Sequence, residues 1–346
     1  MQPPVVIRFG AFGDTLMLTP VFRYLARHFG APADFAARGP WSLPILEPHP
    51  DVGEICQLHS KRVPFLFNRD QQAMVRWLAV RRQRLLLNLE GDAKTAELLR
   101  RAGVASGRVL GFQDMPVDPA YRHQVRAMLS RVRMRLEGRG DIEDLDERLH
   151  VPVAPAWRED RDAWLAGRGW SDDELVIVAP GNKRTMSRRS YERGSNRKHW
   201  PIEDWARLCD RLLETRPGAR ILVVGAPVEQ RLAAAIAASA ASPRVHAVAS
   251  EMTVTRLLAL LAHARGAVAL DSGPSHAAAA VGCPVVTLFK ATDPSRFGPL
   301  SASGLAREVT PGGVPLADWR PGPIALDSVL AAWCSLQDEV AARAGG

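Results

Sequence analysis

The sequence lacks the features that mark metal-dependent, disulfide-rich or membrane-spanning proteins. Its four cysteines form no Cys-x-x-Cys pair, which argues against a zinc site, a redox motif and a disulfide framework. No apolar run approaches the ~20 residues of a membrane-spanning helix. The first residues also lack the basic and apolar regions of a secretory signal. We therefore expect a cytoplasmic protein, and its 346 residues suggest two domains, since a typical domain has about 150 residues.

Aromatic residues are scarce at 6%, whereas Lys and Arg exceed Asp and Glu by 45 to 37. The net charge of +8 predicts an anionic partner, such as a nucleic acid, a membrane surface or a phosphorylated small molecule. Much of the excess lies in residues 183–198, where seven cations, Arg188 and Arg189 among them, accompany one glutamate. This segment is either a solvated loop or an anion-binding loop. Only Tyr191 and Trp200 could stack on bases there, so we expect no nucleic acid.

Short apolar runs alternate with amphipathic helical stretches, which is typical of α/β folds with parallel sheets. The first run is followed by a turn and by a predicted helix over 15–29. The alternation stops in an acidic, proline-bearing segment and then restarts. The sequence therefore predicts two Rossmann-like domains, 1–155 and 156–325, and a C-terminal helix over 326–346 that packs across the outside. In such folds ligands bind at the carboxyl ends of the strands.

The first strand-to-helix turn carries the first candidate carboxylate. This turn contains Gly13 and Asp14, and its spacing is not the G-x-G-x-x-G of dinucleotide-binding proteins, which argues against a nicotinamide or flavin enzyme. Asp14 has two interpretations. It is either the N-cap of the following helix or a carboxylate that takes a proton from a hydroxyl group.

Two turns in the second half are suited to an anionic ligand. Gly181 and Asn182 follow an apolar strand, and Lys198 precedes a predicted helix whose N-terminus would help it to hold a diphosphate. Glu229 follows a later strand. It either accepts a hydrogen bond from a ribose hydroxyl or belongs to the solvated first turn of a helix.

The turn at residues 271–276 gives the strongest signal. Asp271, Ser272 and Gly273 end a strand, and Pro274 then opens a helix of small residues, an arrangement that aims backbone N–H groups at an anion. His276 is either a buried structural residue or a ligand contact. A Ser–His–Asp triad is conceivable, but the G-x-S-x-G elbow is missing, so we do not expect a hydrolase.

Six motifs occur in an order that is found in a known family. They are Gly13-Asp14, Asn88-Leu89-Glu90-Gly91 with Lys94, Pro180-Gly181, Lys198-His199-Trp200-Pro201, Gly225-Ala226-Pro227 with Glu229, and Asp271-Ser272-Gly273-Pro274-Ser275-His276. Together they resemble the family 9 glycosyltransferases, whose best-known members are the ADP-heptose:lipopolysaccharide heptosyltransferases. The resemblance covers roughly residues 5–299.

The resemblance implies a GT-B fold, in which two Rossmann-like domains face a central cleft, and an inverting, metal-independent sugar transfer. Asp14 matches the catalytic base of the family, and Lys198 matches the lysine on the donor phosphates. Glu229 matches the acid that holds the ribose, and Met252 falls where the family packs the adenine. The donor loop of the family matches Asp271, Ser272 and Gly273, with Gly181, Asn182 and His276 as further donor contacts.

The acceptor side is implied in the same way. Gly13, Glu90 and Lys94 lie at acceptor-side motifs. The basic segment that contains Arg188 and Arg189 departs from the family in its length and charge, and it would either hold a phosphorylated acceptor or cover the donor. The implied partners are an ADP-linked sugar and a phosphorylated glycolipid of the lipopolysaccharide core, reached by a peripheral protein at the anionic inner-membrane face. No cofactor and no metal are expected. Two alternatives stay open: a nucleotide-sugar epimerase on the same fold, and a non-catalytic nucleotide-sugar binder.

Overall fold

The chain divides into two compact units, Met1–Glu147 and Arg148–Gly346. The computed structural model describes residues 2–61, 63–112, 118–186, 196–313 and 320–345. The division falls before the boundary predicted at 155/156. The reason is that the intervening backbone pairs with the second unit, where the N–H groups of Leu149 and Val151 donate to the carbonyls of Leu300 and Ala280 at 2.9 Å.

The first unit contains a five-stranded parallel sheet. Its strands are β1 (Val5–Arg8), β2 (Ala33–Arg38), β3 (Val52–Leu58), β4 (Leu86–Asn88) and β5 (Val109–Gly111). Its helices are α1 (Phe12–Leu16), α2 (Thr19–Phe29), α3 (Ser42–Leu46), α4 (Arg69–Val80), α5 (Ala93–Arg101) and α6 (Gln124–Glu137), with 3₁₀ turns at Phe65–Phe67 and Ser106–Arg108. The strand order is β3-β2-β1-β4-β5, and every pair in it is parallel.

The single helix predicted over 15–29 is two helices, α1 and α2. Pro20 has no backbone N–H, so the helix cannot continue its hydrogen-bond ladder through this position. The Thr19 hydroxyl instead donates to the Leu16 carbonyl at 2.9 Å. The predicted end of the helix is confirmed, because Gly30 takes a left-handed conformation with φ of 66°.

The second unit contains a six-stranded parallel sheet. Its strands are β6 (Glu174–Ala179), β7 (Ala219–Val223), β8 (Val245–Ala247), β9 (Gly266–Leu270), β10 (Val285–Leu288) and β11 (Ala306–Val309). Its helices are α7 (Pro155–Ala166), α8 (Ile202–Thr215), α9 (Gln230–Ser239), α10 (Val254–His263), α11 (Gly273–Ala280), α12 (Pro294–Phe297) and α13 (Leu326–Ala344). Further 3₁₀ turns span Pro227–Glu229, Ala249–Glu251 and Pro311–Gly313. The strand order is β11-β10-β9-β6-β7-β8.

The predicted C-terminal helix is part of the second unit. Helix α13 packs on β10, β11 and α8, and Trp333 on this helix is buried in the same core cluster as Trp200 and Trp205. A Cβ atom on Gly266 of β9 would lie 2.9 Å from the Trp333 ring. Because glycine has no Cβ, α13 can pack close to the sheet at this position.

Each sheet has a point where the strand order reverses. In the first unit this point lies between β1 and β4, and in the second it lies between β6 and β9. Ligands of open α/β sheets bind at the carboxyl ends of the strands at such a point. We therefore expect a site at the turns that follow β1 and β4 in the first unit, and at the turns that follow β6 and β9 in the second.

Candidate functional site

Asp14 lies at the reversal point of the first unit. Helix α1 begins at Phe12 with Ala11 as its N-cap, so Asp14 is the third helical residue and the N-cap interpretation is wrong. One carboxylate oxygen accepts the Ala11 N–H at 2.7 Å, and the other lies 3.4 Å from the Arg8 guanidinium. A Cβ on Gly10 would stand 2.5 Å from the Asp14 Cβ, so only a glycine leaves room for this side chain. Asp14 is 32% exposed, which leaves its carboxylate open to a ligand.

Arg8 joins Asp14 to Glu90, the acid that follows β4. The Arg8 guanidinium lies 3.5 Å from the Glu90 carboxylate and donates to the Leu89 carbonyl at 3.0 Å. The same Glu90 oxygen accepts the Phe9 N–H at 2.9 Å. The structure thus brings the predicted Asp14 and Glu90 together through an arginine that the sequence analysis did not single out. The sequence did contain a signal for Arg8, because it is a charged residue at the end of the buried strand β1.

Lys61 and Asp92 extend this network, and neither was predicted. The Lys61 ammonium lies 3.3 Å from Glu90 and 2.5 Å from Asp92, and it donates to the Thr95 hydroxyl at 3.2 Å. Burial alone would raise the pKa of the Asp92 carboxyl, but hydrogen bonds from Lys61 and Thr95 outweigh it and lower the pKa to about 2. The predicted Lys94 is exposed and donates to the Lys61 carbonyl at 2.9 Å.

Gly13, also predicted on the acceptor side, lies within α1. Its carbonyl accepts the Met17 N–H at 3.0 Å, so its observed contact belongs to the helix backbone.

Lys198 and Asp271 meet at the reversal point of the second unit. The Lys198 ammonium lies 2.5 Å from the Asp271 carboxylate and donates to the Asp271 carbonyl at 3.0 Å. Asp271 is 7% exposed and Lys198 is 34% exposed, so the carboxylate is buried beneath the ammonium. The two residues are 73 positions apart in the chain, and the fold brings them together.

Helix α11 begins directly after this pair. Ser272 is its N-cap and Gly273 its first residue. The Ser272 hydroxyl donates to the Leu270 carbonyl at 3.2 Å, and the Ser275 hydroxyl donates to the Ser272 carbonyl at 2.8 Å. His276 is buried one turn into the helix. The Lys198 ammonium and the positive end of the α11 dipole therefore lie at the same turn.

Glu229 is held in a pocket that two glycines leave open. Its carboxylate accepts the Ala226 N–H at 2.7 Å and a hydrogen bond from the Thr185 hydroxyl. A Cβ on Gly181 would stand 2.3 Å from one carboxylate oxygen, and a Cβ on Gly225 would stand 2.8 Å from the other. Glu229 is 7% exposed, and this burial raises the pKa of its carboxyl above the ordinary value. It is not a solvated first-turn residue.

Asn182 and Met252 are buried near this carboxylate. The Asn182 side-chain oxygen accepts the backbone N–H of Arg184 at 2.9 Å, and the backbone N–H of Asn182 donates to the Thr185 hydroxyl at 2.7 Å. No acceptor for the side-chain NH₂ of Asn182 is found among the described residues. Met252 follows the Ala249–Glu251 turn, which packs against the turn that carries Glu229.

Some predicted features are not located by the structure. Arg188 and Arg189 lie outside the described residues. Within the described ranges, no three His, Cys, Asp or Glu side chains are grouped so that they could hold a metal ion. The helices in the described part of the chain are too short or too polar to cross a bilayer.

The chain is similar in sequence to known glycosyltransferases. The model of glycosyltransferase family 9, described as heptosyltransferase, matches residues 186–308. That range contains Lys198, Glu229, Met252 and the turn at Asp271. Lipopolysaccharide heptosyltransferase 3 of Escherichia coli is 25% identical over 306 residues, which cover 81% of each chain.

Solved structures share the fold over nearly the whole length of the chain. The family 9 glycosyl transferase of Veillonella parvula DSM 2008 superposes with a TM-score of 0.76 at 16% identity and covers 97% of both chains. The ADP-heptose lps heptosyltransferase II of E. coli superposes with a TM-score of 0.73 at 20% identity, over 98% of this chain and 99% of that one. These matches confirm the predicted α/β, GT-B fold class.

Proposed function

We propose that this chain, a heptosyltransferase-like glycosyltransferase similar to those of family 9, transfers heptose from ADP-heptose to a phosphorylated lipopolysaccharide-core acceptor. The names of its relatives support the sugar and the acceptor, since one is a lipopolysaccharide heptosyltransferase and another an ADP-heptose enzyme. The reaction we propose inverts the anomeric carbon and needs no metal.

Asp14 is the proposed base. Its carboxylate takes the proton of an acceptor hydroxyl, and the hydroxyl oxygen bonds to the anomeric carbon as the bond to the diphosphate breaks on the opposite face. The Ala11 N–H and the Arg8 guanidinium hold the carboxylate in place, and its partial exposure lets an acceptor reach it. The Arg8 guanidinium also pairs with the Glu90 carboxylate. We propose that Glu90 and Lys94 contact the acceptor sugar.

The second unit is proposed to stabilise the leaving ADP. An ammonium group has three N–H donors, and Lys198 uses two contacts on Asp271, which leaves one donor for a phosphate oxygen. The N–H groups at the start of α11 add the positive end of a helix dipole at the same turn. This coincidence of a cation with a helix N-terminus, at Asp271, Ser272 and Gly273, is the observation that carries the proposal.

The adenosine end of the donor is proposed to lie at Glu229, Asn182 and Met252. Each carboxylate oxygen has two lone pairs, so Glu229 can accept a ribose hydroxyl while it keeps its bonds to Thr185 and Ala226. The buried NH₂ of Asn182 offers a donor, and Met252 offers an apolar wall for a base. His276 contributes as part of the α11 turn.

The basic segment 183–198 is proposed to hold phosphates of the acceptor through Arg188 and Arg189. We also propose that the protein works at the anionic inner face of the membrane as a peripheral protein, because a glycolipid acceptor is found there. Replacing both arginines by alanine should raise the apparent KM for the acceptor more than that for the donor. The reverse order would assign the segment to the nucleotide.

The proposed activity is tested by following ADP release from ADP-heptose in excess chelator, with and without a truncated lipopolysaccharide acceptor. We expect ADP release that requires the acceptor and survives the chelator. An isomerised donor formed without acceptor would identify an epimerase instead, and binding without ADP release would identify a non-catalytic binder. A thermal-shift panel of ADP-, UDP- and GDP-sugars checks the base, since a ligand that binds only the folded state raises its stability.

A further inference from the structure

Residues 63–67, Val-Pro-Phe-Leu-Phe, form an exposed apolar tip between β3 and α4. Leu66 is 78% exposed, Phe67 is 81% exposed and Val63 is 43% exposed. The Phe65 side chain instead packs against the core of the first unit, and the Arg101 guanidinium lies 4.3 Å from the centre of its ring. Elsewhere in the described residues the exposed large apolar side chains stand at isolated positions: Leu43, Val80, Met134, Met186 and Val228. Clustered exposed apolar residues mark an interaction surface.

The apolar tip is a braced turn. Its backbone closes on itself, because the Phe67 N–H donates to the Pro64 carbonyl at 3.0 Å. Two glutamines of α4 bind further carbonyls of the tip: the Gln71 side chain donates to Val63 at 2.8 Å, and the Gln72 side chain donates to Phe65 and Leu66 at 3.1 Å each. The Asn68 side chain donates to the Ser60 carbonyl, before the tip, at 2.8 Å.

This bracing is what insertion into lipid requires. In hydrocarbon no water is present to bind a backbone carbonyl, so each polar group of an inserted segment needs a partner within the protein. The amide groups of Gln71 and Gln72 supply such partners to the carbonyls of Val63, Phe65 and Leu66. The most exposed side chains of the turn are the apolar ones at its end, Leu66 and Phe67.

The charge of the segment fits an anionic bilayer. Residues 60–69 contain Lys61, Arg62 and Arg69 and no acidic residue. Because Lys61 is paired with Glu90 and Asp92, the positive excess of this stretch of sequence comes from Arg62 and Arg69. Cations beside exposed apolar side chains are typical of segments that lie in the interface of a membrane with acidic headgroups. Two acidic residues on the neighbouring helices α4 and α5 have basic partners: Asp70 lies 2.8 Å from His59, and Glu97 lies 2.6 Å from Arg101.

The apolar tip also lies beside the acceptor-side residues. It follows the carboxyl end of β3, in the sheet edge that carries Glu90, and Lys61 in the same connection lies 3.3 Å from Glu90. A tip inserted in a bilayer would therefore hold Glu90 and Asp14 near the headgroup level, where the sugar of a membrane-bound glycolipid lies.

We propose that the apolar tip inserts Leu66 and Phe67 into the headgroup–acyl boundary of an anionic phospholipid bilayer. The use of this contact, presentation of a lipid-linked acceptor to Asp14, rests on the proposed function. The contact itself rests only on the exposure, the bracing and the charge of the segment.

The test is co-sedimentation of the full chain with vesicles of equal parts phosphatidylcholine and phosphatidylglycerol. The double variant Leu66→Ser/Phe67→Ser should lose about 10-fold or more in vesicle partitioning, because two large apolar side chains no longer leave water. Val80→Ser is the matched control: Val80 is equally exposed at the other end of α4, and this variant should bind as the wild type does. ADP release with a deacylated, water-soluble acceptor should be unchanged in both variants.

Three results would overturn the proposal. They are wild-type vesicle binding by the double variant, an equal loss in Val80→Ser, and a wild-type protein whose self-association, rather than vesicle binding, depends on Leu66 and Phe67. The last result would assign the tip to a contact between copies of the chain. Since vesicle binding is measured without donor or acceptor, an absent transferase activity would not affect it, and the two proposals can fail separately.

Discussion

The two reversal points share a topology but differ in their charge. In the first unit, Asp14 and Glu90 are bridged by Arg8 in a network of both signs that is partly open to solvent. In the second, Lys198 covers the buried Asp271 at the start of a helix, where positive potential is concentrated. The same strand order thus supports two different kinds of site, because the site is made by the turns and not by the sheet.

The difference suggests a division of labour. A carboxylate held by one N–H and one guanidinium suits a base that acts on a hydroxyl group. A lysine at a helix N-terminus suits a diphosphate. Substitutions that change one site and leave the other intact can therefore separate the two roles.

The largest effect is expected from Asp14→Asn. The amide keeps an oxygen for the Ala11 N–H, so the turn should stay folded, but it cannot accept the acceptor's proton. We expect kcat to fall by about 10³-fold. Asp70→Asn removes a carboxylate from an exposed position of the same unit and should retain turnover. Equal losses in both variants would show that charge in this unit, and not the base, limits the reaction.

A smaller loss is expected from Lys198→Ala. Removing the ammonium takes away the main positive charge that stabilises the leaving diphosphate. It also leaves the buried Asp271 carboxylate without its partner. We expect kcat/KM for the donor to fall by about 10²-fold. Arg211→Ala, which removes an exposed cation from α8, is the control and should behave as the wild type. Full activity in Lys198→Ala would show that the site in the second unit does not stabilise the leaving group.

Two glycine substitutions compare the sites directly. Gly10→Ala places a methyl group 2.5 Å from the Asp14 Cβ, and Gly181→Ala places one 2.3 Å from the Glu229 carboxylate. Each should lower the unfolding free energy by about 1–3 kcal/mol. Gly10→Ala should mainly lower kcat, and Gly181→Ala should mainly weaken donor binding.

The controls for these variants are Gly107→Ala in the first unit and Gly218→Ala in the second. No described atom lies within 4 Å of the Cβ that either would add. Chemical denaturation of all four variants, alongside donor titration, checks the prediction. If the controls lost as much stability as Gly10→Ala and Gly181→Ala, the close approach of these glycines to the carboxylates would not be the cause.

The smallest effect concerns pH. Burial raises the pKa of Glu229 above its ordinary value of about 4.5, so the folded protein binds this proton more tightly than the unfolded chain. The stability that the proton contributes is complete below pH 4.5 and is lost as the pH rises through the raised pKa. Glu229→Gln does not titrate, so its unfolding free energy relative to the wild type should improve as the pH rises from 4.5. A difference that stays constant with pH would contradict the burial of a titrating carboxyl here.

Local sequence was enough to find the residues at the strand ends. Asp14, Lys198 and Asp271 stand in turns whose glycines, prolines and small residues are legible in the sequence. The break between α1 and α2 was equally legible, because Pro20 cannot continue a helix, and the prediction of one helix over 15–29 overlooked it.

Contacts between distant segments could not be predicted. Lys61 reaches Glu90 and Asp92, which are 29 and 31 positions away, only because the connections after β3 and β4 lie at one edge of the sheet. The bracing of the apolar tip by Gln71 and Gln72 depends in the same way on the entry angle of α4. Periodicity gives the order of the elements, but the side chains that meet between elements follow from the strand order 3-2-1-4-5, which the sequence does not state.

The most direct test is calorimetric titration of ADP-heptose into the wild type, Asp14→Asn and Lys198→Ala. We expect Asp14→Asn to bind the donor with the wild-type Kd, and Lys198→Ala to bind it about 10-fold or more weakly because a charge-assisted hydrogen bond is lost. A wild-type Kd for Lys198→Ala, or an equal weakening in Asp14→Asn, would contradict the assignment of donor binding to the second unit and base catalysis to the first.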